Sequence, residues 1–241
     1  MSPAGTKSIP RKASHRKVLS RRAVLMAGCA GLAAQLLPRH ACAATAIVLP
    51  DAADQRKFSV YYKGSRIGAH TILYSAATGE TQVSTRINLL VKAAFFTMFR
   101  FGHSSTEIWR DGQLMSLSSE TVEHGETLRV DGVATPQGFR VVSKGGPFIA
   151  PAATLTSNSL WTPAVLEQTT LVDAQYGGII GVSARKFADE QIVIAGRQIA
   201  VTRYTLITPY LAGSIWYDEK NLWVRGEFER DGSHIQYQLD P

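Results

Sequence analysis

The sequence predicts an all-β, mainly antiparallel protein. The expected form is a curved half-barrel or open barrel with one short helix, preceded by a signal helix that is cleaved off. Three observations lead there. About a dozen short runs of mixed apolar and polar residues recur roughly every 8–12 residues, the spacing of barrels and sandwiches. Glycine-containing turn pairs punctuate them. No stretch of residues 44–241 shows the repeat of a long amphipathic helix.

The elements follow in order. Phe58–Tyr62, Ile67–Ser75, Thr81–Val91 and Phe95–Arg110 read as strands, as do Leu114–Val122, Thr127–Val133 and Phe139–Ser143. The Asp-Gly pairs at 111–112, 131–132 and 231–232 are hairpin signals, because glycine accepts positive φ without steric cost. Residues 144–160 are rich in Gly, Pro, Ser and Thr and read as a connection. Thr162–Glu167 predicts the short helix, with Thr162 as cap and Pro163 in the first turn. Strands resume at Gly178–Phe187, Gln191–Ala195, Gln198–Ile207, Ser214–Asp218, Leu222–Glu229 and Ser233–Leu239.

Residues 1–43 read as an export signal rather than part of the fold. A basic zone ends at Arg22, an apolar zone runs over Ala23–Leu37, and Ala41-Cys42-Ala43 is an A-x-A cleavage site, placing the cut after Ala43. Fifteen apolar residues rise ~22 Å as a helix, short of a ~30 Å hydrocarbon core, so no permanent membrane span is expected in the mature form. Ser20-Arg21-Arg22-Ala23-Val24-Leu25 resembles the twin-arginine motif, which makes the twin-arginine translocase the expected partner during export and the periplasm or the exterior the destination. Residues 44–56 read as a flexible lead-in and 57–241 as a single β-rich domain.

Removing the signal changes the charge argument. Residues 1–43 hold eight of the 26 Lys and Arg and none of the 19 Asp and Glu, so residues 44–241 carry a net charge of −1. A nucleic-acid binder needs a basic surface to displace counterions, and nucleic acid is therefore not an expected partner. Both cysteines, Cys29 and Cys42, leave with the signal, which excludes a disulfide, a thiolate metal site or a cysteine nucleophile in the remainder.

Two stretches carry the candidate ligand-binding residues. The run LLVKAAFFTMFRF, Leu89 to Phe101, concentrates Phe95, Phe96, Met98, Phe99 and Phe101. It reads either as a strand buried in the core or as an aromatic lip that receives an apolar ligand, since small barrels hold lipids and pigments by curling around apolar side chains. In Gly102–Trp109, strand alternation puts His103, Ser105, Glu107 and Trp109 on one face, either as a polar groove beside Trp109 or as a solvated or cross-strand-paired face. His103 and Glu107 lie ~13 Å apart along such a strand and cannot form a catalytic pair alone. Trp216 and Tyr217, with Trp223 beyond the turn, add aromatics for cross-strand packing or ligand stacking. No catalytic residue set emerges: G-x-S-x-G, H-E-x-x-H and P-loop patterns are missing, and Ser183-x-x-Lys186 stands without companions. His70, His103, His124 and His234 are scattered singly, so no metal or cofactor is expected.

Phe58–His70 (FSVYYKGSRIGAH), Gly102–Leu114 (GHSSTEIWRDGQL) and Ile215–Leu239 (IWYDEKNLWVRGEFERDGSHIQYQL) resemble, in order and spacing, the proteobacterial exported family called domain of unknown function 6134. The resemblance covers most of 57–239. It implies a curved antiparallel half-barrel similar in layout to lipoprotein carriers of the LolA and LolB type, and it implies no catalytic residues. The functional expectation is an exported, non-enzymatic binding or accessory module for an apolar or lipid-like molecule. The alternatives are an enzyme drawing on His103, Glu107, Arg203, Tyr217 and Asp218, or an interaction domain using exposed strand edges.

Overall fold

The computed structural model describes residues 47–51, 54–93, 96–230 and 232–241. The expectations for residues 1–43, including Arg21, Arg22 and a cut after Ala43, lie outside these. All described residues belong to one compact unit, Ala43–Pro241.

Thirteen strands form one antiparallel sheet, and it does not close into a barrel. In chain order the strands are β1 Arg56–Tyr62, β2 Ser65–Ala77, β3 Glu80–Ala93, β4 Phe96–Arg110, β5 Gln113–Glu123, β6 Glu126–Thr135, β7 Gly138–Ser143 and β8 Gly146–Ala150. Then come β9 Thr170–Val172, β10 Ile179–Gly181, β11 Ser183–Ile194, β12 Arg197–Ile207, β13 Ala212–Asp218, β14 Trp223–Arg230 and β15 Ser233–Leu239. The spatial order of the large sheet is β11-β12-β13-β14-β15-β1-β2-β3-β4-β5-β6-β7-β8, and β9 and β10 form a separate small hairpin. This is the all-β half-barrel that the alternating runs predict.

The connection from β8 to β11 gives the fold its core. Those two strands are the opposite edges of the large sheet. Residues 151–182 link one edge to the other and pack against one face of the sheet. The connection holds two 3-10 turns, Ser159–Trp161 and Pro163–Glu167, and the β9–β10 hairpin. The main apolar core joins Leu155, Trp161, Val165 and Leu171 of the connection to Phe58, Ile72, Val83, Trp109, Tyr217 and Phe228 of the sheet. Trp161 meets Trp109 edge-on at 5.4 Å between ring centroids and Tyr74 at 5.9 Å. Thr162 caps the second turn through Ala164 N–H, as its sequence predicts, but the turn is 3-10 rather than α.

Four expectations need correction. Residues 144–160 are not wholly a connection, because Gly146–Ala150 is edge strand β8, paired with β7 despite its Pro147; proline is tolerated on an edge. Gly178–Phe187 and Gln191–Ala195 are not two strands. The first splits into β10 and the start of β11, and β11 runs on to Ile194 through a register shift at Phe187. Part of the 44–56 lead-in is packed, with Ile47 and Leu49 against the core. Asp131-Gly132 is not a hairpin turn but lies inside β6, facing Leu117 on one side and Val141 on the other.

Gly132 serves close packing, since a Cβ there would overlap the Phe139 ring. Gly132→Ala is expected to cost about 1–3 kcal/mol by overpacking, read as a lower urea midpoint with unchanged slope. At the β4–β5 turn, by contrast, Asp111 and Gly112 both have positive φ, 49° and 72°, as a hairpin of that length requires.

Candidate functional site

A second, smaller cluster of buried residues stands apart from the main core: Val60, Ile67, Ile87, Leu89 and Phe101, contributed by β1 to β4. Between it and the main core lies a cavity of about 370 Å³. Its walls are mostly apolar. Ile87, Leu89 and Phe101 form one side, Trp223 and Phe228 of β14 another, and Leu171 of the connection closes it further. The period of two explains the grouping, because Ile87, Leu89 and Val91 share one face of β3.

Burial is graded along the cavity. Met98, Tyr210 and Arg230 are the more accessible lining residues, whereas Leu206, Leu171, Trp223, His70 and Asn158 are buried. The outer end is thus an aromatic and charged mouth. There Tyr176 O–H donates to Glu123 at 2.8 Å, and Arg230 donates to the Tyr176 hydroxyl at 3.1 Å. Phe99 stacks on Phe101 at 6.3 Å, beside the Met98 side chain on the same strand.

Where the connection meets β4 lies a polar network that reaches the cavity wall through Asn158. His103 is sealed at 2% exposure and Glu107 at 1%. Asn158 Nδ2 donates to His103 Nε2 at 3.0 Å and to Ser105 Oγ at 2.8 Å. Neutral His103 therefore carries its proton on Nδ1 and donates to Thr121 Oγ1 at 2.8 Å. Burial pushes the His103 pKa down to about 4, against a smaller upward pull from Asn158. Glu107 accepts from Thr156 Oγ1 and from Trp109 Nε1 at 3.1 Å. The Trp161 indole N–H interacts with it without reaching hydrogen-bonding geometry. Burial raises the Glu107 pKa to about 7, more than these donors lower it. This network pins the connection to the sheet.

The structure separates the residues that the sequence groups. Met98, Phe99 and Phe101 line the cavity, whereas Phe95 and the Phe96 side chain lie outside what is described. His103, Glu107 and Trp109 do share a face, but they lie beneath the connection. The solvated-face reading is corrected, because the connection covers that face and leaves Trp109 at 0% exposure. Trp216 packs with Val201 and Val224 in a separate cluster, between the Arg203 and Arg225 guanidinium groups at 5.1 and 5.3 Å from its ring centroid. Tyr217 is buried and donates to Leu160 O at 2.9 Å. Neither lines the cavity.

The polar set His103, Glu107, Arg203, Tyr217 and Asp218 does not converge. Arg203 lies over Phe187 and Trp216, and Asp218 accepts from Lys220 and Leu222 N–H in the β13–β14 turn. No three His, Cys, Asp or Glu side chains gather as metal ligands among the described residues. No helix among them is long and apolar enough to cross a membrane.

His70 and Asn158 line the cavity, yet the sequence pattern does not place them at a site. One signal was available for His70. It alternates with Ile72 and Tyr74 on the core face of β2, where a polar ring stands out. Asn158 had none, because its position depends on a connection without a period.

These features define an open all-β half-barrel, filled by its own edge-to-edge connection and keeping an apolar cavity beside the core. The chain belongs to the family described as domain of unknown function DUF6134, whose model matches residues 58–240. Among solved structures it is similar to the beta-barrel-like protein of domain of unknown function DUF1849 from Brucella abortus. That likeness has a TM-score of 0.57 at 10% identity, covering 77% of this chain and 94% of the other. At that identity it speaks for the fold. No curated protein matches.

Proposed function

We propose that this chain is an exported, non-enzymatic binding module that holds an apolar, chain-like molecule in the cavity between Leu89 and Trp223. The cavity itself carries the reading: about 370 Å³ of space, preformed and lined mainly by aliphatic and aromatic side chains. Such sites are the usual place for a small ligand, with a few polar groups fixing its orientation. About ten buried methylenes give ~8 kcal/mol gross, and a preformed cavity keeps the ordering cost low. Export through the twin-arginine translocase to the periplasm or exterior belongs to the same proposal. Its support is Arg21-Arg22 and the three-zone segment before Ala43.

Native mass spectrometry of gently purified protein tests the binding. The expected spectrum contains an adduct of lipid-like mass, released on denaturation. In Leu89→Trp, whose larger indole projects into the cavity and narrows it, the adduct signal falls severalfold while the circular dichroism spectrum is kept. A bare-chain mass for the wild type, together with no uptake of the neutral dye N-phenyl-1-naphthylamine, sinks the proposal.

A further inference from the structure

The cavity is apolar, but it is bordered by polar atoms whose bonding capacity is unmet. Six buried side-chain polar atoms lack a hydrogen-bond partner among the described residues, and three of them, both His70 nitrogens and Asp173 Oδ2, belong to residues lining this cavity. Tyr210 and Ser157 approach Asp173, so its need is partly answered. His70 has no such neighbour. Its ring is 4% exposed and packed among Phe58, Trp223 and Tyr237, with centroids at 6.1, 5.3 and 5.9 Å, and forms a hydrogen bond with none of them; the Trp223 indole N–H is spent on Arg225 O. Asn158, also on the wall, spends both Nδ2 hydrogens on His103 and Ser105, and its Oδ1 takes no hydrogen bond among the described residues.

Buried donors and acceptors are nearly always paired in folded proteins, so an unpaired histidine beside a cavity calls for an occupant that pairs it. His70 lines the cavity, and a flip about χ2, a soft torsion for histidine, exchanges the carbon and nitrogen positions of the ring edges.

We infer that the ligand is an apolar molecule bearing one uncharged hydroxyl-type group, which goes in first and is held at the inner end by His70 and Asn158. This rests on the binding-module reading above. A hydroxyl suits the pair because it both donates, to Asn158 Oδ1, and accepts, from the neutral imidazole N–H. A carboxylate does not. Among the described residues the only Lys or Arg lining the cavity is Arg230, which is engaged with Tyr176 and Glu123 at the mouth, and Asp173 lines the same cavity. Burial keeps His70 neutral by moving its pKa down to about 3, with His103 adding a smaller push the same way.

Displacement of N-phenyl-1-naphthylamine by 1-decanol and by decanoate tests the inference on the intact mature chain. In the wild type, decanol is expected to displace the dye at a concentration at least tenfold below that of decanoate. In His70→Phe, of similar shape but without nitrogens, decanol affinity falls about tenfold, the value of one buried hydrogen bond, and decanoate shifts less than twofold. His70→Gln, which keeps a donor and an acceptor, restores most of the preference. Asn158→Ser reads the same ratio independently should His70→Phe not fold. If the wild type takes up no dye, the binding-module reading and this inference fall together. If the dye binds but decanoate matches decanol, or the ratio is the same in the variants, only this inference falls.

Discussion

Replacing Trp161 with alanine is expected to lower folding stability by about 3–5 kcal/mol, the range for removing a fully buried tryptophan. Trp161 is 0% exposed and touches Trp109 and Tyr74 edge-on, so its removal leaves a hole at the seam between the connection and the sheet. The seam matters beyond that hole. Residues 151–182 are the second layer of this fold, and without them the core face of the sheet has no cover. At a slope of about 2 kcal/mol/M for a domain this size, the urea midpoint drops by about 2 M. Dye uptake should also rise as the connection loosens. A midpoint within a few tenths molar of wild type would mean that the connection does not pack where it is seen.

The second large effect is a dependence on pH through Glu107. Burial raises its carboxyl from 4.5 to about 7 in the folded chain. Between those values the folded state binds more protons than the unfolded state. The sign is therefore opposite to that of an ordinary paired carboxylate: the Glu107 contribution is fully present at low pH and is lost as pH rises through about 7. Glu107→Gln removes the titration. The stability difference, variant minus wild type, should climb by about 2 kcal/mol from pH 5.5 to 8.5. Any fixed cost of the amide facing Thr156 and Trp109 shifts the whole curve and leaves the slope untouched. His70 and His103 act oppositely, since their lowered values make the folded chain lose stability as pH falls below about 6.5. They are present in both proteins and cancel in the difference. A flat difference would show that Thr156 and Trp109 keep Glu107 ionised throughout.

Strands with a clear period were legible in the sequence because burial on one face leaves a written trace. The long β3–β4 pair is of this kind. Gly146–Ala150 was not, because an edge strand of five residues with glycine and proline reads like a loop. Asp131-Gly132 misled because the dipeptide has two uses, and only the Phe139 ring across the sheet selects the one found here. The site divides the same way. Met98, Phe99 and Phe101 announced themselves by aromatic density. The cavity's far wall comes from β14 and from the 151–182 connection, which local pattern cannot bring together. The face of His103 and Glu107 was read correctly, but not its cover, since Thr156 and Asn158 lie some fifty positions further along, at separations of 49 and 55.

The sheet joins its first and last strands at its middle. Phe58 pairs with Leu239, and Asp240 N–H reaches Lys57 O at 2.8 Å. A chain still on the ribosome consequently carries β1 with one bare edge until β15 has emerged. Assembly of the two halves is a late, long-range event, slow by the general relation between contact separation and rate. A chain cut short near residue 233 leaves the edges of β14 and β1 unpaired, and bare strand edges of this kind are templates for aggregation.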